Sequence, residues 1–225
     1  AGWFGAPHAG DWSSRLVAAR PAAGQPHPAS ASGSDTRVLP PVVMTDVPSA
    51  SRFAFPATQD DGSGPLTFDP CRPIHYVVRD RPEVGDRGAA IIAAAVAEVS
   101  KATGLEFVDD GATDEAPSTD RDLYQPDRYG GQWAPVLIAW SDAAEQPELG
   151  GRTAGLGGGL PLRDTHGHLT YVSGTVWLDT PDLAPDLATA AGSAGVQAVI
   201  MHELGHVLGA AHVSDSRELM NGENS

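Results

Sequence analysis

The chain has 225 residues and a formal net charge of −15, from 14 Lys and Arg against 29 Asp and Glu, and this length is enough for one ordinary domain, with or without an appendage. The acidic balance argues against a nucleic-acid binder, which needs a basic footprint, and against docking on an anionic membrane surface. No apolar run approaches the ~20 residues of a membrane-spanning helix, and the one cysteine, Cys71, excludes a disulfide framework within the chain.

Residues 1–52 are rich in Ala, Pro, Ser and Gly, and we predict that they form a linker or an irregular arm. The stretch 21–34 has almost no large apolar side chain, so burial cannot offset the entropy lost on ordering it. Three aromatic residues are the exception: Trp3, Phe4 and Trp12. They are either a small packed anchor or exposed side chains of a tail.

Residues 53–225 have the patterning of a folded domain and carry almost all of the acidity. The Asp- and Gly-rich stretch 60–64 lies between two apolar runs and predicts a hairpin-like turn. Residues 74–78 are rich in β-branched and aromatic side chains, which predicts a short strand.

A helix is predicted over residues 87–103, where Asp86 provides the N-cap and Gly104 ends the helix. Three apolar side chains recur on one helical face: Ile92, Val96 and Val99. That face predicts packing against a sheet or another helix.

The rest of the domain alternates predicted strands with loops. We predict a long polar loop over 109–135 and a glycine-rich loop over 150–159. The last helix is predicted over 193–208. Strands are predicted at 105–108, 135–140 and 169–178. An order of strand, helix, strands and helix favours an α+β domain built on a sheet.

The last predicted helix contains the sequence HELGHVLGAAH, residues 202–212. His202 and His206 are four residues apart, so both lie on one helix face and can bind one metal ion at about 2.0–2.1 Å. Gly209 permits a sharp turn that brings His212 back as a third ligand. Three protein ligands leave a position for water, which is typical of a catalytic rather than a structural zinc.

Glu203 is next to His202 and can reach a water at the metal without being a ligand itself. Zinc would lower the pKa of that water towards ~7 and polarise a carbonyl oxygen, and Glu203 would act as the general base. The alternative is a chance arrangement of histidines. Five fixed positions match by chance at a rate of roughly one in ten thousand in such a chain, which favours the metal site.

This pattern resembles the zinc signature of the metzincin metallopeptidases, H-E-x-x-H-x-x-G-x-x-H. Met220 fits the methionine turn of that family, and its spacing of eight residues from His212 is similar to the matrixin branch. The segment 69–74, with the strand and helix after it, resembles bacterial matrixin-like proteases. The resemblance covers roughly residues 53–221.

The resemblance implies a zinc-dependent endopeptidase that hydrolyses extended protein or peptide substrates. His202, His206 and His212 would bind zinc, and Glu203 would be the general base. Met220 would support the site without touching the metal.

The resemblance also implies a metzincin-like α+β fold. A twisted, mixed and mostly parallel sheet would lie over an N-terminal helix and a zinc-binding active-site helix. Substrate would pair with an edge strand near residues 153–159. The family works outside the cell, so we expect an extracellular protein, secreted or tethered to the cell surface, and we expect a monomer with no membrane insertion.

Three departures from the matrixin pattern affect the expected activity. Val213 follows the third histidine, where matrixins usually have Ser. The residues after Met220 lack the Pro and Tyr that usually shape the S1′ wall, and they are too few for the helix that follows in matrixins. We therefore expect a catalytic domain without its C-terminal helix. The alternative is a latent or non-catalytic zinc-dependent domain that binds protein.

Other residues have two interpretations each. Cys71 is either a thiol switch that binds the zinc or a bystander. His166 and His168 are either ligands of a structural zinc or solvated loop residues. The acidic stretch 109–127 either binds Ca²⁺ or is a solvated loop. His75 is interpreted as a packed or hydrogen-bonded strand residue.

Overall fold

The computed structural model describes residues 21, 24–26, 36–43, 53–164 and 167–222. Most of the predicted arm lies outside these residues, including Trp3, Phe4 and Trp12, and so does His166. The predicted domain is described almost throughout. None of the described helices is both long enough and apolar enough to cross a lipid bilayer.

The described chain contains one five-stranded sheet and four helices. The strands are β1 (Ile74–Arg79), β2 (Phe107–Ala112), β3 (Val136–Ser141), β4 (Gly155–Arg163) and β5 (Leu169–Asp179). The helices are α1 (Gly85–Thr103), α2 (Pro126–Tyr129), α3 (Thr180–Leu183) and α4 (Ala190–Val207). The strand order is β2-β1-β3-β5-β4, in which only β4 is antiparallel to its neighbour. The prediction of an α+β domain on a mixed, mostly parallel sheet is confirmed.

The main core lies between the sheet and the two long helices. Its fully buried side chains include Ile92 of α1, Ile138 of β3 and Leu204 of α4. Successive strand residues point to opposite faces, so a second cluster forms on the other face, around Leu137 and Trp177. All six residues of β3 are buried, which is why this strand reads as an uninterrupted apolar run.

We predicted a loop over the glycine-rich stretch 150–159, and this prediction is wrong for its second half. From Gly155 onward the stretch belongs to the edge strand β4. A Cβ at Gly157 would lie 2.3 Å from the backbone oxygen of Glu203, and one at Gly159 would lie 2.5 Å from that of Val207. These glycines let β4 lie directly on the backbone of α4. They serve close packing between strand and helix rather than a turn.

Helix α1 starts two residues earlier than predicted, and its N-cap is wrong in the prediction. Val84 is the N-cap residue and gives no side-chain cap, while Asp86 lies inside the first turn. There its negative charge is favourable to the helix dipole. The predicted end is confirmed, because Gly104 is left-handed at φ 67° and its N–H donates to Ser100.

The other boundaries move by a few residues. Strand β2 continues to Ala112, so the predicted polar loop starts later. Helix α4 begins at Ala190 because the Thr189 side chain caps it, accepting a hydrogen bond from the Gly192 N–H at 3.0 Å. The predicted turn at 60–64 is confirmed by the hydrogen bond from the Gln59 N–H to the Gly64 oxygen, at 2.8 Å.

A buried ion pair ties the connection between β2 and β3 to the sheet. Glu115 accepts hydrogen bonds from Arg121 at 2.7 and 2.9 Å, and the two side chains are 8% and 2% exposed. Arg121 also donates to the Ser173 hydroxyl of β5 at 2.9 Å. Burial alone would raise the pKa of Glu115, but hydrogen bonds from Arg121, Gln125 and Tyr129 outweigh it and lower the pKa.

We expect Glu115→Gln to destabilise the fold by about 3 kcal/mol at pH 7, because it leaves the Arg121 guanidinium buried without its counter-charge. Because the folded-state pKa of Glu115 is lowered, its carboxylate stabilises the fold at pH values above the ordinary Glu pKa. This stabilisation is lost as the pH falls through the folded-state pKa of Glu115. The difference in unfolding free energy between Glu115→Gln and wild type should therefore shrink below about pH 4. Urea denaturation at pH 7 and pH 3.5 measures both. A difference that stays constant between the two pH values would contradict this account.

Candidate metal centre

Three histidines converge at the C-terminal end of α4. His202 and His206 lie one turn apart on the helix, and the chain then turns at Gly209, where φ is 91°. A Cβ at Gly209 would also lie 2.8 Å from the Leu66 oxygen, so only glycine fits there. This turn brings the His212 ring back to the rings of His202 and His206.

The three Nε2 atoms face one another at short distances. The separations are 3.1 Å from His202 to His212, 3.2 Å from His206 to His202, and 3.0 Å from His206 to His212. Among the residues that the structure describes, this is the one group of three or more His, Cys, Asp or Glu side chains close enough to hold a metal ion.

Backbone carbonyls determine the tautomers of two of these rings. His202 Nδ1 lies 2.7 Å from the Leu219 oxygen, and His206 Nδ1 lies 2.9 Å from the Ala210 oxygen. Because a carbonyl only accepts, each Nδ1 carries the proton and donates it. In the neutral ring the lone pair is then on Nε2, so two lone pairs face each other at 3.2 Å.

The donor set fits a metal ion. Tetrahedral bonds of about 2.0–2.1 Å place ligand nitrogens about 3.3 Å apart, close to the separations observed. Imidazole nitrogens suit zinc, copper, iron and nickel. Burial lowers the pKa of His202. Burial, together with the neighbouring His202 ring, lowers the pKa of His206 to about 4. The rings are therefore neutral and ready to act as ligands at neutral pH.

Glu203 lies beside this group but is not part of it. Its side chain is almost fully buried, and burial raises the pKa of Glu203 to about 8. A Cβ at Gly155 would lie 2.9 Å from the Glu203 Cγ, so the start of β4 passes directly over this side chain. The small size of Gly155 makes room for the carboxyl group.

Met220 lies against α4, the helix that carries His202 and His206. Its sulfur lies 2.4 Å from where a Cβ would stand on Gly205, so the turn packs on the helix between the two helical histidines. The turn is closed by the Val213 N–H, which donates to the Met220 oxygen at 2.9 Å. The Asn221 amide donates to the Val213 oxygen at 3.0 Å.

Several residues that shape the site carry no obvious sequence signal. Leu219 and Ala210 act through their backbone oxygens, which any residue would supply. Gly222 packs on His212, since a Cβ there would lie 2.8 Å from His212 Nδ1. Gly222, two residues after Met220, is the one sequence signal among them, and its packing role was not predicted.

We expect Gly222→Ala to weaken metal binding by about tenfold, the lower end of the range for residues that orient ligands. The added methyl group would push the His212 ring, and Gly222 has no left-handed φ that would confuse the result with backbone strain. Competition with a chromophoric chelator measures the affinity. Gly131→Ala is the control, because nothing lies within 4 Å of its Cβ position. Equal affinities in both variants and wild type would contradict the packing argument.

The other predicted residues lie outside the histidine group. Cys71 lies in the turn before β1, where its N–H donates to Asp69 Oδ1 at 2.9 Å. The thiol-switch hypothesis gains no support from this placement. His168 is exposed and belongs to no group of metal ligands among the described residues. His75 is hydrogen-bonded, as predicted, with its Nδ1 2.9 Å from Asp110 Oδ1.

The acidic stretch 109–127 gives no cluster of cation ligands among its described side chains. Asp114 and Glu115 pair with arginines instead, and Asp109 accepts a hydrogen bond from the Gly111 N–H at 2.8 Å. The calcium interpretation of this stretch is therefore not supported.

Comparison with protein-family models gives no match, and no curated protein matches the chain. The fold and the histidine group therefore carry the functional assignment.

Proposed function

We propose that the protein is a zinc-dependent endopeptidase of the metzincin type, related to bacterial matrixin-like proteases. The observation that carries this proposal is the convergence of three Nε2 atoms, at 3.0–3.2 Å, beside the buried carboxyl group of Glu203. The sheet order with one antiparallel edge strand supports it as well.

His202, His206 and His212 would hold the zinc. When bound, zinc supplies Lewis-acid chemistry, which lowers the pKa of water towards ~7 and polarises a carbonyl oxygen. The Leu219 and Ala210 carbonyls keep two of the rings oriented so that their Nε2 lone pairs point to one place.

Glu203 would act as the general base and then as the general acid. Its carboxylate takes a proton from the attacking water while the water oxygen forms a bond to the scissile carbonyl carbon. When the C–N bond breaks, Glu203 returns that proton to the leaving amine.

Substrate would bind as an extended strand along β4. This strand pairs only with β5 among the described strands, so its other edge has backbone groups available to a peptide. Gly155 and Gly157 of β4 lie against Glu203, so this strand passes beside the proposed general base. The pairing uses backbone atoms, which any extended polypeptide provides. We propose action on proteins outside the cell and a monomeric enzyme.

The experiment is cleavage of a mixture of unfolded proteins by the full chain loaded with one equivalent of zinc. We expect fragments that disappear with a chelator and return when zinc is restored. The second candidate is a latent or non-catalytic zinc-dependent domain that binds protein, and the observation in its favour is that Glu203 is only 5% exposed. A zinc-loaded chain that cleaves no unfolded protein would favour this candidate and contradict the endopeptidase.

A further inference from the structure

Charged side chains gather at the end of the sheet where the parallel strands β1, β3 and β5 finish. Asp179 is the last residue of β5, and it pairs in register with Ser141, the last residue of β3. Asp179 is only 7% exposed, and its N–H donates to the Ala154 oxygen at 2.9 Å. A buried carboxyl group ionises only at a cost unless a cation balances it, so the neighbouring charges decide its state.

Two arginines lie at this end of the sheet, and other carboxylates engage both of them. Arg79 makes a bidentate ion pair with Glu145, at 2.7 and 2.8 Å. Arg81 pairs with Asp142 and, at 3.0 Å, with Glu145. Among the residues that the structure describes, Asp179 has no ion pair of its own. The arrangement therefore favours the neutral form of this buried acid.

The charges that act on Asp179 have the same effect. Burial is the main cause that raises the pKa of Asp179, to about 6, and the negative charges of Asp182 and Asp142 add to it. The Asp182 backbone N–H and the Arg81 cation act in the opposite direction. On the side of β4, the contact is the uncharged Ala154. Asp179 therefore takes up its proton at a pH where an ordinary aspartate is charged.

Asp179 stands at the start of the connection that leads from β5 into α4. It occupies the N-cap position of α3, yet its side chain makes no cap hydrogen bond. The 3₁₀ turn over 184–188 follows, with Leu187 in the main core. A Cβ at Gly192 of α4 would lie 2.3 Å from the Asp186 oxygen. The connection is thus packed closely against α4, and a buried acid lies at its entry.

Two buried hydroxyl groups near this acid also lack partners. Thr180 follows Asp179 in the chain, and Thr153 precedes the residue whose oxygen accepts the Asp179 N–H. Neither hydroxyl makes a hydrogen bond within the part of the chain that the structure describes. Each such group costs free energy while it is shielded from water. An opening that admits water would satisfy both hydroxyls and would also solvate a charge on Asp179.

We propose that Asp179 is a proton-dependent switch that controls the local opening of residues 180–189. With its proton, the carboxyl group is neutral and the connection stays packed on the sheet and on α4. Without the proton, the charge is balanced only when water enters, so the connection opens more often. Acidification therefore tightens the entry to the helix that carries His202 and His206, whether or not the protein is an enzyme.

The direction and size of the effect follow from linkage. Because the folded-state pKa of Asp179 is raised, its stabilisation is greatest at low pH and is lost as the pH rises through about 6. With the ordinary value of 3.8 in the open state, the opening equilibrium should be about tenfold larger at pH 7.5 than at pH 5. Amide hydrogen exchange of the zinc-loaded full chain, corrected for the intrinsic pH dependence of exchange, measures this equilibrium over residues 180–189.

Three variants separate the carboxyl group from other causes. Asp179→Asn is neutral at every pH, so protection of residues 180–189 should no longer fall between pH 5 and pH 7.5. Asp182→Asn removes one of the negative charges that act on Asp179, so the midpoint of the fall should move to lower pH. Asp186→Asn is the matched control, because it removes an acid of the same connection that does not act on Asp179. It should behave like wild type.

Several results would overturn the proposal. Protection that is equal at pH 5 and pH 7.5 in wild type is one, and a fall that persists in Asp179→Asn is another. If Asp179→Asn did not fold, an unchanged midpoint in Asp182→Asn would still contradict the coupling of the two carboxyl groups. Protection restored at pH 7.5 by added Ca²⁺ would show that a cation, and not a proton, balances the charge.

Discussion

Glu203→Gln is expected to lower kcat/KM for peptide cleavage by about 10²–10⁴-fold, the usual contribution of a general base. The amide has the shape of the carboxyl group but cannot take the proton of the attacking water. Glu203 is not one of the three clustered histidines, so the zinc content should stay at one per chain. Both quantities can be measured on the same preparation, by cleavage of an unfolded protein and by elemental analysis.

His206→Ala is the matched variant for this experiment, because it should lose both zinc and activity. The pair separates the two roles, one residue acting on the proton and the other holding the metal. Cleavage that survives Glu203→Gln would contradict the proposed mechanism. Loss of zinc in Glu203→Gln would show that this residue is a ligand instead of a base.

Gly157→Ala is expected to destabilise the protein by about 3 kcal/mol, at the upper end of the usual cost of overpacking. Its Cβ would lie 2.3 Å from the backbone oxygen of Glu203, and backbone atoms of both a strand and a helix cannot move aside cheaply. The shift would also separate β4 from α4, so activity should fall with stability. Urea denaturation measures the free energy of unfolding.

Gly195→Ala is the control for this substitution. It lies on the exposed side of the same helix, nothing stands within 4 Å of its Cβ position, and alanine is the better helix former. It should therefore stabilise the protein by up to about 1 kcal/mol. Similar unfolding free energies for the two variants would contradict the close packing of β4 on α4.

Helix α1 and strand β4 show why part of this fold could be predicted and part could not. Helix α1 was predictable because its apolar side chains repeat at a period that is local to the sequence. Strand β4 was not, because its glycines are explained by a helix that begins more than 25 residues later. Glycine usually indicates a turn, and only the tertiary contact shows that here it indicates close approach.

The candidate site divides in the same way. The convergence of the three histidines was predictable, since the i, i+4 spacing of His202 and His206 and the turn at Gly209 are local properties. The groups that orient them were not, because Leu219 and Ala210 contribute backbone oxygens that any side chain would leave available. The buried pair of Glu115 and Arg121 is also invisible in the sequence, where both look like ordinary loop charges.

The central claim is that His202, His206 and His212 together hold one zinc ion. X-ray absorption at the zinc edge of the purified full chain tests it most directly. The account predicts one zinc per chain with three imidazole nitrogens at about 2.0–2.1 Å, and a loss of that signature in His212→Ala. A chain that binds no zinc, or one whose zinc spectrum is unchanged in His212→Ala, would contradict it.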